Sequence, residues 1–298
     1  MTERNISIDR PSGVLYGTLT YPDIATAGAA LLLAGSGPTD RDGNSTLGNV
    51  EPATQKLLAA GLAERGIATL RVDKRGIGES AAAAPDEQDL RFSTYADDAK
   101  DWAARLEDET GVSGVWLIGH SEGALIAEVA AEDNPDICGL VLMAGAGRRA
   151  GDILREQLAA MLPPELKDEA FSAVAEMEHG RLVANPSKEL LGLLRPSVQP
   201  YMISWLALDP GAILARLPLP TLILLGETDI QVSIADAEAL SAAKPEATLM
   251  LLPGVNHVFK QAPADPTANA ATYSDPDLPL APGVSAAVAD FILANTKS

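Results

Sequence analysis

The sequence predicts an α/β protein: a mostly parallel central sheet with helices on both faces and a helical insertion lying over it. Short apolar runs alternate with longer stretches of helical spacing along most of the chain. The strand-like runs are apolar throughout, which is the pattern of parallel strands covered on both faces. The alternation breaks between Gly147 and Pro218, where helical patterns stand almost without strand signals, and then resumes.

The elements read in order as follows. Ile6-Ser7-Ile8 and Val14–Tyr21 form an opening pair of strands around the turn Pro11-Ser12-Gly13. Ala29–Leu33 is a buried strand that leads into a Gly-rich loop. Pro52–Arg65 has helical spacing of Leu and Ala, and Gly66 ends it. Ile67–Val72 is the next strand. Thr94–Glu109 is an amphipathic helix, with Trp102 and Leu106 four apart on one face. Val115–Ile118 is a strand, Glu122–Ala131 a helix and Ile137–Met143 a strand. In the middle segment Leu154–Met161, Glu165–Met177 and Lys188–Leu194 have helical patterns, punctuated by prolines. Thr221–Leu225, Ile234–Ala243, Thr248–Leu252 and Val284–Ala294 restore the alternation. The Pro-, Ala- and Asp-rich stretch Ala262–Pro282 reads as a long irregular loop. The expected organisation is a core of residues 1–146 and 219–298 with a helical cap at 147–218. Ligands of such sheets bind at the carboxyl ends of the strands, so the loops after the strands are where chemistry is sought.

Composition narrows the partners. The 298 residues carry 41 acidic and 22 basic side chains, a formal net charge of −19. That field repels a phosphate backbone or an anionic lipid surface, so neither nucleic acid nor membrane is an expected partner. Cys138 is the one cysteine, set in an apolar run; it reads as a small buried hydrophobe. The N-terminal stretch Met1–Ile6 lacks the apolar core of a signal peptide, and no apolar run approaches a membrane span. The expected location is cytoplasmic. The three histidines are dispersed and His-Glu-x-x-His is absent, so no metal or other cofactor is expected.

The sharpest signal is Gly119-His120-Ser121-Glu122-Gly123, a G-x-S-x-G set between a strand and a helix. Two glycines leave room for a sharp turn that projects Ser121 above the sheet, and the helix beginning there adds N-terminal dipoles. A serine hydroxyl needs a base to take its proton, and histidine suits that role near neutral pH. His120 adjoins the serine on the turn and reads as structural or supporting the oxyanion site. His179 lies at the end of a helical pattern. His257 follows the strand Thr248–Leu252 and is the favoured base by position and by elimination. The third member is a carboxylate after an earlier strand, in the chain order Ser, Asp, His. Asp229 in Gly226-Glu227-Thr228-Asp229 fills it, with Glu227 a nearby rival. An oxyanion hole takes one backbone N–H from the residue after the nucleophile, Glu122, and one from the loop Ala34-Gly35-Ser36-Gly37-Pro38, where Ser36 is the choice. That loop lacks the spacing of a phosphate-binding loop.

At these residues the chain resembles the α/β-hydrolase superfamily. Gly35-Ser36-Gly37-Pro38-Thr39-Asp40-Arg41-Asp42-Gly43-Asn44, together with Gly-His-Ser-Glu-Gly at the turn, looks like the signature of a group of bacterial carboxylesterases. Asp73-Lys74-Arg75-Gly76-Ile77-Gly78-Glu79-Ser80 is similar to the family's D-x-R-G-x-G-x-S, and the loops around Asp229 and His257 match its acid and histidine loops. Where the group has His-Gly before the oxyanion loop, this chain has Ala34-Gly35. The resemblance implies the α/β-hydrolase fold and a serine carboxylesterase. With few aromatic residues, small to medium acyl esters are the expected substrates. Serine aminopeptidase or amidase and acyl transferase activities are the alternatives on the same fold, and a binding protein without turnover is a third. A dehalogenase would need Asp where Ser121 stands. Asp40 and Arg41 read either as a salt-bridged pair bordering the substrate site, beside Gly35 and His120, or as residues that hold the Gly-rich loop in shape.

Overall fold

The computed structural model describes residues 1–45, 50–84 and 86–296. β1 (Thr2–Arg10) and β2 (Gly13–Tyr21) pair antiparallel through the turn at Pro11 and Ser12. β3 (Gly28–Leu33), β4 (Ile67–Val72), β5 (Val115–His120), β6 (Ile137–Met143), β7 (Thr221–Gly226) and β8 (Thr248–Leu252) are parallel to one another. The sheet runs β1-β2-β4-β3-β5-β6-β7-β8, and β2 is antiparallel to both of its neighbours. Every residue of β3, β4 and β7 is buried, as continuous apolar runs covered on both faces require. The carboxyl ends of β3, β5, β7 and β8 therefore open on one edge of the sheet.

α1 (Thr54–Ala63), α2 (Phe92–Thr110) and α3 (Glu122–Ala131) follow β3, β4 and β5 in the chain. Trp102 and Leu106 of α2 lie on one buried stripe, and the helix stops at Gly111, which takes a left-handed conformation. Between β6 and β7 stand α4 (Ala150–Met161), α5 (Pro164–Glu178), α6 (Leu191–Leu194), α7 (Gln199–Leu206) and α8 (Pro210–Leu214). α9 (Ile234–Ala243), α10 (Pro266–Ala271) and α11 (Val284–Asn295) complete the chain. Among the described residues no helix is long and apolar enough to cross a membrane.

Three helices depart from the sequence reading for one physical reason. α7 starts around Pro200, which reads as a break, α8 stands where no element was expected, and α10 lies inside the stretch read as an irregular loop. Pro200, Pro210 and Pro266 all stand in the first turn of their helices, where a missing N–H costs nothing because that donor has no helical partner. Asp209 and Asp265 cap two of these helices by accepting the N–H groups of Ala212 and Ala268. Cys138 is half-buried, and burial pushes its thiol up to about 11. It is an inert side chain of β6.

Candidate active site

The turn from β5 into α3 is built by close backbone contact. A Cβ at Gly119 would stand 2.2 Å from the carbonyl oxygen of Gly123, and one at Gly123 would stand 2.3 Å from that of Leu33. Only hydrogen fits either position, so strand, turn and helix press together. Between them Ser121 has φ 56° and ψ −120°, a region a non-glycine residue occupies only under strain. Its side chain is thereby presented to a cavity of about 150 Å³, which Ser36, Glu122, Leu125, Leu154, Trp205 and Val232 also line. Among the described residues the Ser121 hydroxyl has no hydrogen-bond partner.

Asp229 sits in the loop after β7 with its side chain only 1% exposed. Its Oδ1 accepts the N–H groups of Gln231 at 2.7 Å and Val232 at 2.9 Å, and its Oδ2 accepts Nδ1–H of His257 at 2.8 Å. With Nδ1 donating, Nε2 of His257 is the nitrogen left to accept a proton. The acid and histidine loops are locked to one another. Thr228 N–H donates to the Val255 carbonyl at 3.0 Å, and a Cβ at Gly226 would stand 2.0 Å from that same oxygen. Asn269 of α10 bonds the Thr228 and Pro263 carbonyls and accepts from Asn256. The stretch read as a loop is thus a brace beneath the candidate base. Glu227, the rival carboxylate, is exposed.

His120 donates Nε2–H to the His257 carbonyl at 2.8 Å, with ring centroids 4.9 Å apart. Burial, helped by the neighbouring His257, pushes its imidazole down to about 4. It is a neutral prop under the histidine loop. His179 ends α5, is exposed, and bonds the Ala175 carbonyl through Nδ1.

Ser36 follows β3 and borders the same cavity as Ser121 and Glu122. Glu122 opens α3, where N–H groups have no acceptor within the helix. Among the described residues neither the Ser36 nor the Glu122 N–H is engaged by another group. Gly35 lies against the nucleophile turn: a Cβ there would meet the Ser121 Cβ at 3.2 Å.

Asp40 and Arg41 are not paired with each other. Asp40 accepts the N–H groups of Asp42 and Asn44, which shapes its own turn. Arg41 reaches Asp73 at 2.5 Å and Glu79 at 2.6 Å and donates to Thr18. Both line a separate cleft with Glu3, Lys56 and Arg71, not the Ser121 cavity. Their place in the sequence, directly after the Gly-rich loop, suggested a border to the site; the fold turns them away from it.

The chain and its fold have counterparts among known proteins. A family model described as serine aminopeptidase, S33, matches residues 53–173, under half of the chain. Esterase EstD of Thermotoga maritima is 30% identical over 212 residues, which cover 70% of this chain and 48% of that protein. The chain therefore spans about half the length of that relative. The esterase domain of a Rhodothermus marinus protein superposes with a TM-score of 0.60 at 15% identity, covering 99% of both chains. Est1E of Butyrivibrio proteoclasticus, solved with ferulic acid bound, superposes with a TM-score of 0.61 at 18% identity over 97% of this chain and 98% of that one.

The chain has the α/β-hydrolase fold.

Within this hydrolase fold several residues of the site escaped the sequence reading. Lys74, in the loop after β4, places Nζ 2.5 Å from the Gly35 carbonyl oxygen and 3.7 Å from the Glu122 carboxylate, with the Tyr95 ring 5.4 Å from it. Burial lowers its ammonium below the ordinary lysine value, and Glu122 opposes that shift. Tyr201 of α7 is buried, and burial together with the Glu122 charge raises its phenol far above the ordinary value. Lys74 stands in a motif that was visible, but its partners lie 39 and 48 positions away; no local signal marks them. Arg148 lines the cavity and is held by Asp236 and Glu156.

Proposed function

We propose that the protein is a serine carboxylesterase, with Ser121 as nucleophile, His257 as general base and Asp229 as its orienting acid. The observation that carries this reading is the strained Ser121 turn facing a cavity, on the sheet edge where the Asp229-bound imidazole of His257 also lies. Ser121 Oγ attacks the ester carbonyl carbon as His257 Nε2 takes its proton. The Ser36 and Glu122 N–H groups receive the oxyanion. His257 then gives its proton to the leaving alkoxide, and the acyl group remains on Ser121. Water, activated by the same imidazole, releases the acid.

The cavity argues for a short acyl chain. At about 150 Å³ it matches in size an engineered apolar cavity that admits benzene, and Leu125, Ile153, Leu154, Trp205 and Val232 give it apolar walls. The helices between β6 and β7 act as a cap that closes it. EstD, named an esterase, favours the same chemistry.

The family model's description favours a second reading, a serine aminopeptidase. Such an enzyme needs a carboxylate for the substrate's amine. Glu122 is the one carboxylate on the cavity wall among the described residues, and it already faces Lys74, while Arg148 adds positive charge. That balance favours esters. The test compares p-nitrophenyl esters from C2 to C12 with proline p-nitroanilide, and maps a fluorophosphonate label. Turnover of C2–C6 esters with label on Ser121 is the expected result. Anilide turnover exceeding ester turnover moves the assignment to the peptidase.

A further inference from the structure

Resting on the esterase reading, we propose that Lys74 is a positioning residue that assembles the oxyanion hole from its two separate halves. The hole has one donor on the loop after β3 and one at the start of α3, elements that share no covalent or helical continuity. Lys74 lies between them on a third, the loop after β4. Its ammonium donates to the Gly35 carbonyl at 2.5 Å. That carbonyl belongs to the same planar peptide group as the Ser36 N–H, so fixing the oxygen fixes the direction in which the N–H points. The bond also draws electron density toward the carbonyl oxygen, which strengthens Ser36 N–H as a donor. On its other side the ammonium faces the Glu122 carboxylate at 3.7 Å, the side chain of the residue that supplies the second N–H.

The surroundings keep the ammonium in place. The Lys74 and Glu122 side chains are 9% and 6% exposed. The Tyr95 ring covers the cation at 5.4 Å, and Tyr201 of α7 packs against Tyr95 with ring centroids 5.8 Å apart. A buried cation held this way couples the cap, through Tyr201 and Tyr95, to the donor that meets the developing charge. The effect belongs to the transition state, because the oxyanion needs the Ser36 N–H far more than the ground-state carbonyl does.

The test uses K74M, which keeps the aliphatic stem and loses the donor, beside K74Q, whose side chain is one bond shorter but ends in an amide that can donate toward the Gly35 oxygen. Activity and Ser121 labelling of the parent enzyme are read first; an inert, unlabelled parent fails the esterase reading, and this proposal with it. With an active parent, K74M is expected to lose about 10- to 100-fold in kcat at unchanged KM, less than deletion of an oxyanion donor costs. K74Q is expected to recover a substantial part of that loss. K74M within about twofold of the parent, a loss that falls on KM, or K74Q no better than K74M overturns the proposal. So does failure of both variants to melt cooperatively, since Lys74 would then serve the fold and not the hole.

Discussion

Replacing Asp229 by Asn keeps the shape of the site and changes one proton. Asp229 Oδ1 accepts two backbone N–H groups, from Gln231 and Val232. An amide in that place must keep its oxygen on those donors, because turning its NH2 toward them would set hydrogen against hydrogen. The Asn NH2 then faces His257 Nδ1, the position Oδ2 holds at 2.8 Å. Nδ1 must now accept, so the proton of a neutral imidazole moves to Nε2 and the base loses the lone pair meant for Ser121. A tautomer fault of this kind lowers kcat by about 10⁴ in a Ser-His-Asp protease, or about 5 kcal/mol of barrier. The same loss is expected here. Asn and Asp match in volume, so the melting temperature of the variant stays near that of the parent. The assay is p-nitrophenyl acetate hydrolysis beside the rate of fluorophosphonate labelling, both of which need the same base. D229N within about tenfold of the parent in kcat, with labelling undiminished, would refute the tautomer reasoning. E227Q is the control: Glu227 is exposed, and activity is expected to be unchanged.

S121A is expected to abolish ester turnover with the fold intact. S121G is expected to be more stable than S121A by about 1 kcal/mol in thermal unfolding, because glycine relieves the strain at φ 56° and ψ −120°. G123A puts a methyl 2.3 Å from the Leu33 carbonyl and 2.8 Å from that of Ala34. It should cost about 3 kcal/mol or more by denaturant unfolding and displace the loop that carries Ser36. R41M strands the Asp73 carboxylate, whose side chain is 3% exposed, and should cost about 3–5 kcal/mol of stability. The KM of the folded R41M fraction is expected to stay at the parental value, since Arg41 lies outside the Ser121 cavity. His120 titrates at about 4 in the fold and at 6.5 when unfolded. Between those values the unfolded chain binds the extra proton, so stability is full above about pH 6.5 and falls as the pH drops toward 4. H120Q should flatten that part of the melting-temperature profile, and an unchanged slope would remove His120 as its source.

The sequence by itself determined the order of the strands and of most helices, because each parallel strand is a continuous apolar run and most helices carry their own period. It also determined the candidate nucleophile turn, since the requirement for glycine on both sides of Ser121 is local: residues 119 and 123 touch across a single turn. Asp229 and His257 were legible because each follows a strand, and the carboxyl ends of parallel strands share one edge. Prolines misled at α7 and α10, where a residue that breaks a helix interior instead begins a helix; only the capping contacts reveal which it does. What tertiary structure alone decided is pairing between charges. With 41 acidic residues, nothing local says that Arg41 turns to Asp73 and not to its neighbour Asp40, or that Lys74 stands between Gly35 and Glu122. Such contacts are chosen by the register of β3, β4 and β5 and by the burial that makes an unpaired charge too costly to leave, and both are properties of the assembled sheet.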